Sequence, residues 1–440
     1  MPIGYEHMKT TDFESIAEIP YSWDLIKLKF FSDIYGRIGF RGYTASDLVE
    51  EGNGAITLGP PNIENQKLNL KERKYLSWEK YDESPEIKIY NGDLLLVKTA
   101  SVGKVALVEN LDYPTTINPQ LTVFKNILIN NKYFYYTMIS EVIQHQIASN
   151  TNGGVIFTLS QENIQNYTIP LPSPDEQKQI ANYLDKKTSK IDTTIAKNKE
   201  LITLLEEKRT ALINQVVTKG LNPEVPMKDS GIEWIGEIPE HWEINKIKKY
   251  FYIHNGSTPK DNEENWGGNI CWVTPADYKT ADIYINNSSR QITKIGLNSC
   301  GTTLVPKGSI IVSNRAPIGT VAIANVDLCT NQGCKSLAIK RKINTKFVYY
   351  LLAINEKELN KLGRGTTFME LSSYDLGTFL MPIAPDSEQN DIVNYLDKET
   401  SKIDNTITKI KENIELLEEY KTSLIHHVVT GKIDVRGEEI

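Results

Sequence analysis

Two stretches of the chain carry their apolar positions at alternating spacings of three and four. Thr188, Ile191, Ile195, Asn198, Ile202, Leu205, Arg209, Leu212 and Val216 form the first series. Thr400, Ile403, Ile407, Ile410, Ile414, Leu417, Lys421, Leu424 and Val428 form the second. A mean period of about 3.5 describes a long helix whose stripe seats against another helix. Ser173, Pro174 and Glu176 stand where an N-cap, a first residue and a capping-box glutamate belong. Asp386 and Gln389 fit the cap and third position of the second helix, and Gly220 and Gly431 mark the stops. One stripe alone reads as a core helix. Two matching stripes separated by a whole module favour pairing with each other, antiparallel, with Thr188 facing Val428 and Ile202 near Ile414. The predicted coiled-coil interface is Ile191, Ile195, Ile202, Leu205 and Leu212 with Ile403, Ile407, Ile414, Leu417 and Leu424. Asn198 then faces the Leu417–Lys421 region.

Elsewhere the apolar runs are short. Asp93–Val97 and Ser309–Val312 follow glycine and predict buried strands, with Val105–Val108 and Val321–Ala324 as the next strands. The tyrosine-rich runs 133–143 and 347–359 predict helices. These segments repeat. Residues 170–218 match 382–430 at constant offset, with Asn182-Tyr183-Leu184-Asp185 recurring as Asn394-Tyr395-Leu396-Asp397. More weakly, Glu18-Ile19-Pro20 with Trp23 matches Glu237-Ile238-Pro239 with Trp242, and Tyr135-Tyr136 matches Tyr349-Tyr350. The order is variable module, constant helix, variable module, constant helix.

A length of 440 residues allows about two to four domains, and a 40% hydrophobic fraction supports packed cores. The four cysteines form no C-x-x-C, so reduced cytosolic thiols are expected rather than zinc or disulfides. No apolar run approaches the roughly 18 residues of a membrane helix, which predicts a cytoplasmic protein with no membrane partner. The net charge of −7 excludes a chain that coats DNA indiscriminately. The negative charge is concentrated in 1–170 and 383–440, while 171–382 is slightly positive.

Catalytic motifs are missing. No G-x-x-x-x-G-K-[ST] is present, and Gly36, Gly39 and Gly42 do not make G-x-G-x-x-G. Pro60-Pro61 lacks the flanking residues of an amino-methyltransferase motif. Glu86-Ile87-Lys88 and Glu176-Gln177-Lys178 are E-x-K triplets, common as solvated surface. His426 and His427 point in different directions on a helix and make a poor metal pair. Polar, glycine-punctuated loops remain. Arginine suits guanine edges, amides suit adenine and lysine suits phosphate. The candidate DNA-binding residues are Arg37, Arg41, Tyr43, Arg73, Lys74, Lys98 and Lys104 in the first module. In the second they are Lys260, Arg290, Asn314, Arg315, Lys335 and Arg364. Arg315 is the sharpest candidate, with surface pairing to a carboxylate as its plain alternative.

These residues resemble the specificity (S) subunit of Type I restriction–modification enzymes over nearly the whole chain. The motifs that carry the likeness are Pro170-Leu171-Pro172 through Glu176-Gln177 to Leu184, repeated from Pro382, and Ser230-Gly231-Ile232-Glu233-Trp234-Ile235-Gly236-Glu237-Ile238-Pro239. In the first copy Ser15-Ile16-Ala17 replaces Trp-Ile-Gly, which implies a differently built lead-in. The resemblance implies two α/β (α+β) target recognition domains, 1–170 and 223–382. They would be joined by two long antiparallel coiled-coil helices, within 171–222 and 383–440, as a pseudo-twofold repeat. Each domain would read half of a split site on double-stranded DNA. The helices would dock two methyltransferase (M) subunits, and restriction (R) subunits would join them. S-adenosylmethionine, ATP and Mg²⁺ would sit on those partners, with no cofactor and no catalysis here. A helix of about 44 residues spans about 66 Å, enough to hold readers of half-sites about 34 Å apart. The rival readings are a self-contained nuclease or methyltransferase, a coiled-coil adaptor that never touches DNA, and the specificity subunit of a system with fused M and R functions.

Overall fold

The computed structural model describes residues 4–37, 42–150, 158–278, 283–315, 317–364 and 369–438. The chain divides into two compact units, Met1–Asn198 with Lys411–Ile440, and Lys199–Ile410. Each contains one module and a part of each long helix.

In the first unit, strand Asp24–Lys27 pairs antiparallel with Thr168–Leu171, so the start and end of the module are fastened together. Between them lie two sheets. The four-stranded one runs in the order Val105–Leu107, Leu94–Val97, Leu121–Lys125, Asp33–Gly36. The five-stranded one runs Lys88–Ile89, Thr115–Ile117, Gly54–Leu58, Tyr75–Ser77, Leu48–Val49. Leu94–Val97 is buried along its whole length, which is why it reads as a continuous apolar run rather than an alternation. The second unit repeats the plan. Glu243–Lys246 pairs with Leu380–Ile383. Ile310–Ser313 lies between Cys334–Ile339 and Val321–Ala324, with Phe251–Asn255 and Tyr284–Ile285 at the edges. Trp266–Val273 pairs in parallel with Leu328–Thr330, as Gly54–Leu58 does with Thr115–Ile117.

The long helices are Pro174–Lys219 and Asp386–Val429. The capping box forms at Ser173: its N–H and hydroxyl donate to Glu176 Oε2 at 3.1 and 2.8 Å. All ten residues expected in the helix interface are buried or half-buried. In the first unit Lys421 donates to Asp192 at 2.6 Å and Asn198 to Asn413 at 3.2 Å, so the helix segments run antiparallel there. In the second, Arg209 donates to Asp404 at 2.9 Å.

Four expectations change. The helix register differs from Thr188 against Val428 by about one turn. Continued along the seam, the observed pairs set Ile202 opposite Ile410 and turn Asn198 to Asn413 instead of Leu417–Lys421. The shift keeps the apolar positions matched while bringing Lys421 to Asp192 and Arg209 to Asp404. Asp386 is the first helical residue, not the cap, and Gln389 donates to Ala384 O while accepting from Asn344 N–H. Gln177 does the same with Pro172 O and Asn130 N–H. Each tyrosine-rich run is two helices, Asn131–Ile139 with Glu141–Ser149, and Thr345–Ala353 with Glu356–Lys361. Ser140 ends the first helix and caps the next, its hydroxyl accepting from Val142 N–H. Finally, the lead-in segments are built alike. Met8–Thr10 pairs with Glu18–Pro20 as Met227–Asp229 pairs with Glu237–Pro239, and Thr11 and Ser230 close matching loops onto Ala17 O and Gly236 O. Buried Ile16 takes the place of Ile235, which suffices without the tryptophan and glycine beside it.

Candidate nucleic-acid interface

One turn joins Leu94–Val97 to Val105–Leu107, and its counterpart joins Ile310–Ser313 to Val321–Ala324. Gly103 and Gly319 close them at φ of 92° and 99°, a region that favours glycine. Their N–H groups donate to Val97 O and Ser313 O, both at 3.0 Å. A second segment crosses each turn. Leu159 N–H donates to Lys98 O at 2.8 Å, and Leu371 N–H to Asn314 O at 2.9 Å. Thr99 bridges Thr158 as Arg315 bridges Glu370. A third loop lies alongside: Lys98 N–H donates to Gln120 O, and Asn314 N–H to Gly333 O. In that loop the Asn118 and Asn331 side chains accept from the backbone two residues on, both at 2.9 Å. The backbone wiring is the same in both modules while the side chains differ: Lys98, Thr99 and Thr158 in one, Asn314, Arg315 and Glu370 in the other.

In the first module, Arg37 is buried and donates to Ile117 O at 3.0 Å and Thr116 Oγ1 at 3.1 Å. Burial pulls its pKa below the ordinary arginine value. It is a strut under the loops rather than a presented cation. Tyr43 stands 5.3 Å from that guanidinium and its hydroxyl is 3.2 Å from Thr57 Oγ1. Arg41 lies outside the described residues. Lys98 is half-buried, and burial lowers its pKa. Its Nζ has no partner among the described residues, and Gly36 leaves it room, since a Cβ there would stand 3.0 Å away. Lys74 and Lys104 are exposed; Arg73 folds back onto Leu70 O at 3.1 Å.

The second module gathers its candidates into two groups. Asn314 and Lys335 are buried, and with half-exposed Arg315 they surround Glu370. Asn314 Nδ2 donates to Glu370 Oε1 at 3.0 Å and Arg315 Nη2 to Oε2 at 3.2 Å, while Lys335 Nζ is 3.7 Å from Oε1. Lys335 also donates to Asn255 Oδ1 at 2.8 Å. Its pKa is lowered by burial, which outweighs the pull of Glu370. Arg364 shares backbone hydrogen bonds with Glu370 and turns its guanidinium to Asp375 at 2.8 Å. The other group is Lys260 and Arg290: the guanidinium lies 3.5 Å over the Trp266 ring and 3.6 Å from Asp261, and Trp266 Nε1 donates to Lys260 O.

Glu370 escaped the sequence reading because nothing local marks it; its match at the repeat offset is an uncharged threonine, Thr158. Asn118–Gln120 was findable, being the counterpart of Asn331–Gly333. The E-x-K glutamate Glu176 is occupied structurally by Ser173, by Trp23 Nε1 at 3.2 Å and by the Tyr5 hydroxyl at 2.9 Å. Trp242 Nε1 meets Glu388 in the same way at 3.0 Å. Among the described residues no cluster of three or more His, Cys, Asp or Glu is placed to hold a metal ion, and no helix is long and apolar enough to cross a membrane.

Two duplicated loop clusters on paired long helices have close parallels. The Type I restriction enzyme MjaVIII specificity subunit of Methanocaldococcus jannaschii is 28% identical over 71% of this chain and 72% of its own length. The MjaIX specificity subunit of the same organism is 36% identical over 43% of this chain and 44% of its own. A chain from a solved structure of a type I R-M system shares the fold, with a TM-score of 0.72 at 18% identity over 94% of this chain and 99% of that one. A model of the Type I restriction modification DNA specificity domain matches residues 45–203 and again 239–416, and the chain belongs to that family.

Proposed function

We propose that this chain is the non-catalytic, cytoplasmic specificity subunit of a Type I restriction–modification complex. Each module reads one half of a bipartite, asymmetric site on double-stranded DNA. The observation that carries this reading is the repeated turn: identical backbone wiring presents Lys98 and Thr99 in one module and Arg315 in the other. Two readers of unlike half-sites require that combination of constant scaffold and changed side chains. The long helices act as an antiparallel coiled-coil spacer that docks two methyltransferase subunits, which restriction subunits join. S-adenosylmethionine, ATP and Mg²⁺ belong to those partners. The negative net charge supports this division, because the basic surface for tight DNA binding must then come in part from the partners.

The test is to express the chain with its methyltransferase partner and sequence the methylated adenines. The expected result is one split motif that is lost when either module is replaced. The purified chain alone should bind DNA weakly and neither methylate nor cleave it; methylation by the lone chain would falsify the reading.

A further inference from the structure

We infer that Glu370 is a positioning residue that makes Arg315 a reader of a base edge rather than of a phosphate; this rests on the module being a DNA reader. The carboxylate is held on both sides. Glu370 N–H donates to Arg364 O at 3.0 Å and Arg364 N–H to Glu370 O at 3.1 Å. Oε1 accepts from buried Asn314 at 3.0 Å, and Oε2 from Arg315 Nη2 at 3.2 Å. Asn314 and Lys335 are too buried to reach a ligand, so they fix Glu370 from beneath. Arg315 retains 51% side-chain exposure. A guanidinium has five N–H donors in a rigid fork. The contact to Glu370 engages one side and leaves donors for the O6 and N7 of guanine.

The sign of the neighbouring charge decides which group this arginine meets. A phosphate approaching Arg315 also approaches Glu370, whose side chain is 43% exposed while Lys335 beneath it is 8% exposed, and repulsion opposes the attraction. A base edge carries no net charge, so the Arg315–Glu370 pair survives contact and keeps the guanidinium plane oriented. In the first module the matching position is Thr158, 3.3 Å from Thr99 through their hydroxyls. The half-buried Lys98 there faces no carboxylate among the described residues, so phosphate is admitted to that turn.

The experiment uses the full chain assembled with its methyltransferase partner, carrying Glu370→Ala, Glu370→Gln or Arg315→Ala. Binding is measured on duplexes varied at each base pair, at two salt concentrations, alongside sequencing of methylated adenines. Wild type should prefer guanine at one position of the second half-site by about tenfold to a hundredfold. Glu370→Ala and Arg315→Ala should lose that same preference without changing the salt slope, and Glu370→Gln should keep part of it. Tighter binding of Glu370→Ala to every sequence with a steeper salt slope would make Arg315 a phosphate contact and overturn the inference. An unchanged motif in Arg315→Ala would also overturn it, and does not depend on Glu370→Ala folding. The first half-site serves as the internal control: its motif must persist in every variant. A wild-type complex without sequence preference would instead sink the specificity-subunit reading.

Discussion

Asn198 donates its side-chain amide to Asn413 Oδ1 across 3.2 Å, a polar pair where the two long helices run side by side. The bond is exposed, so its net contribution is small. Asn198→Ile should therefore leave stability unchanged or raise it, within about 0.5 kcal/mol. Urea unfolding of the full chain checks this, and a loss above about 2 kcal/mol would show that the pair holds the register together. Asp192→Asn, which deprives both Lys421 and Lys67 of their carboxylate, should cost no more than about 1 kcal/mol because all three groups contact solvent.

Glu176 ties the first module to its helix. Burial raises its pKa, yet the hydrogen bonds from Ser173, Trp23 and Tyr5 outweigh that and leave the carboxyl below its ordinary 4.5. A depressed folded value means stability present above the unfolded pKa and lost as pH falls through the folded one. Glu176→Gln should flatten the acid side of the stability curve below about pH 4.5 and cost about 1–2 kcal/mol at neutral pH, discounted for partial exposure. Denaturant midpoints across pH 3–7 measure both effects; an acid limb unchanged in the variant would exclude the role.

His426 gives a second titration. It is 9% exposed, and burial lowers its pKa below the ordinary 6.5; Glu141 opposes that shift, and Lys432 and His427 add to it. The buried ring stays neutral while an unfolded chain would take up a proton. Stability is complete above about pH 6.5 and declines below it. His426→Gln should remove that decline as pH falls below about 6.5, leaving His427, shifted in the same direction, to account for what remains. Monitoring the ring protons by NMR titration gives an independent check.

Lys98 is the test of the first half-site. Lys98→Met should weaken binding by about tenfold for all sequences in that half-site and reduce the salt slope by about one, as loss of one phosphate contact does. Gly36→Ala should act in the same direction but less, because its Cβ would crowd the amine without straining the backbone. Loss of a single base preference, with the salt slope intact, would assign Lys98 to a base instead.

The long helices were legible because their apolar period, the Ser173 cap and the glycine stops are local signals, and the central strands because buried runs have no polar interruption. Register was not, since a shift of one turn leaves the apolar positions equally matched and the choice falls to charges such as Asp192 and Lys421. Loop chemistry was legible in part. Lys98 and Arg315 were placed correctly within the repeated turn, but Arg37, Asn314 and Lys335 look like surface residues in sequence and are buried in the fold. Their burial comes from strands far away in the chain: Arg37 meets Thr116 and Ile117, and Lys335 meets Asn255. No local pattern encodes such partners.

The wiring of the repeated turn has an evolutionary consequence. Backbone groups hold Lys98 to Leu159 and Gln120, and Asn314 to Leu371 and Gly333, so the fold of the turn does not depend on the side chains displayed at its tip. Substitutions at Thr99, Thr158 or Arg315 can then drift with little loss of foldedness while each alters what is displayed. On the proposed reading of DNA by this turn, new specificities become accessible by single mutational steps on a tolerant platform, and selection can sort them without first repairing the scaffold.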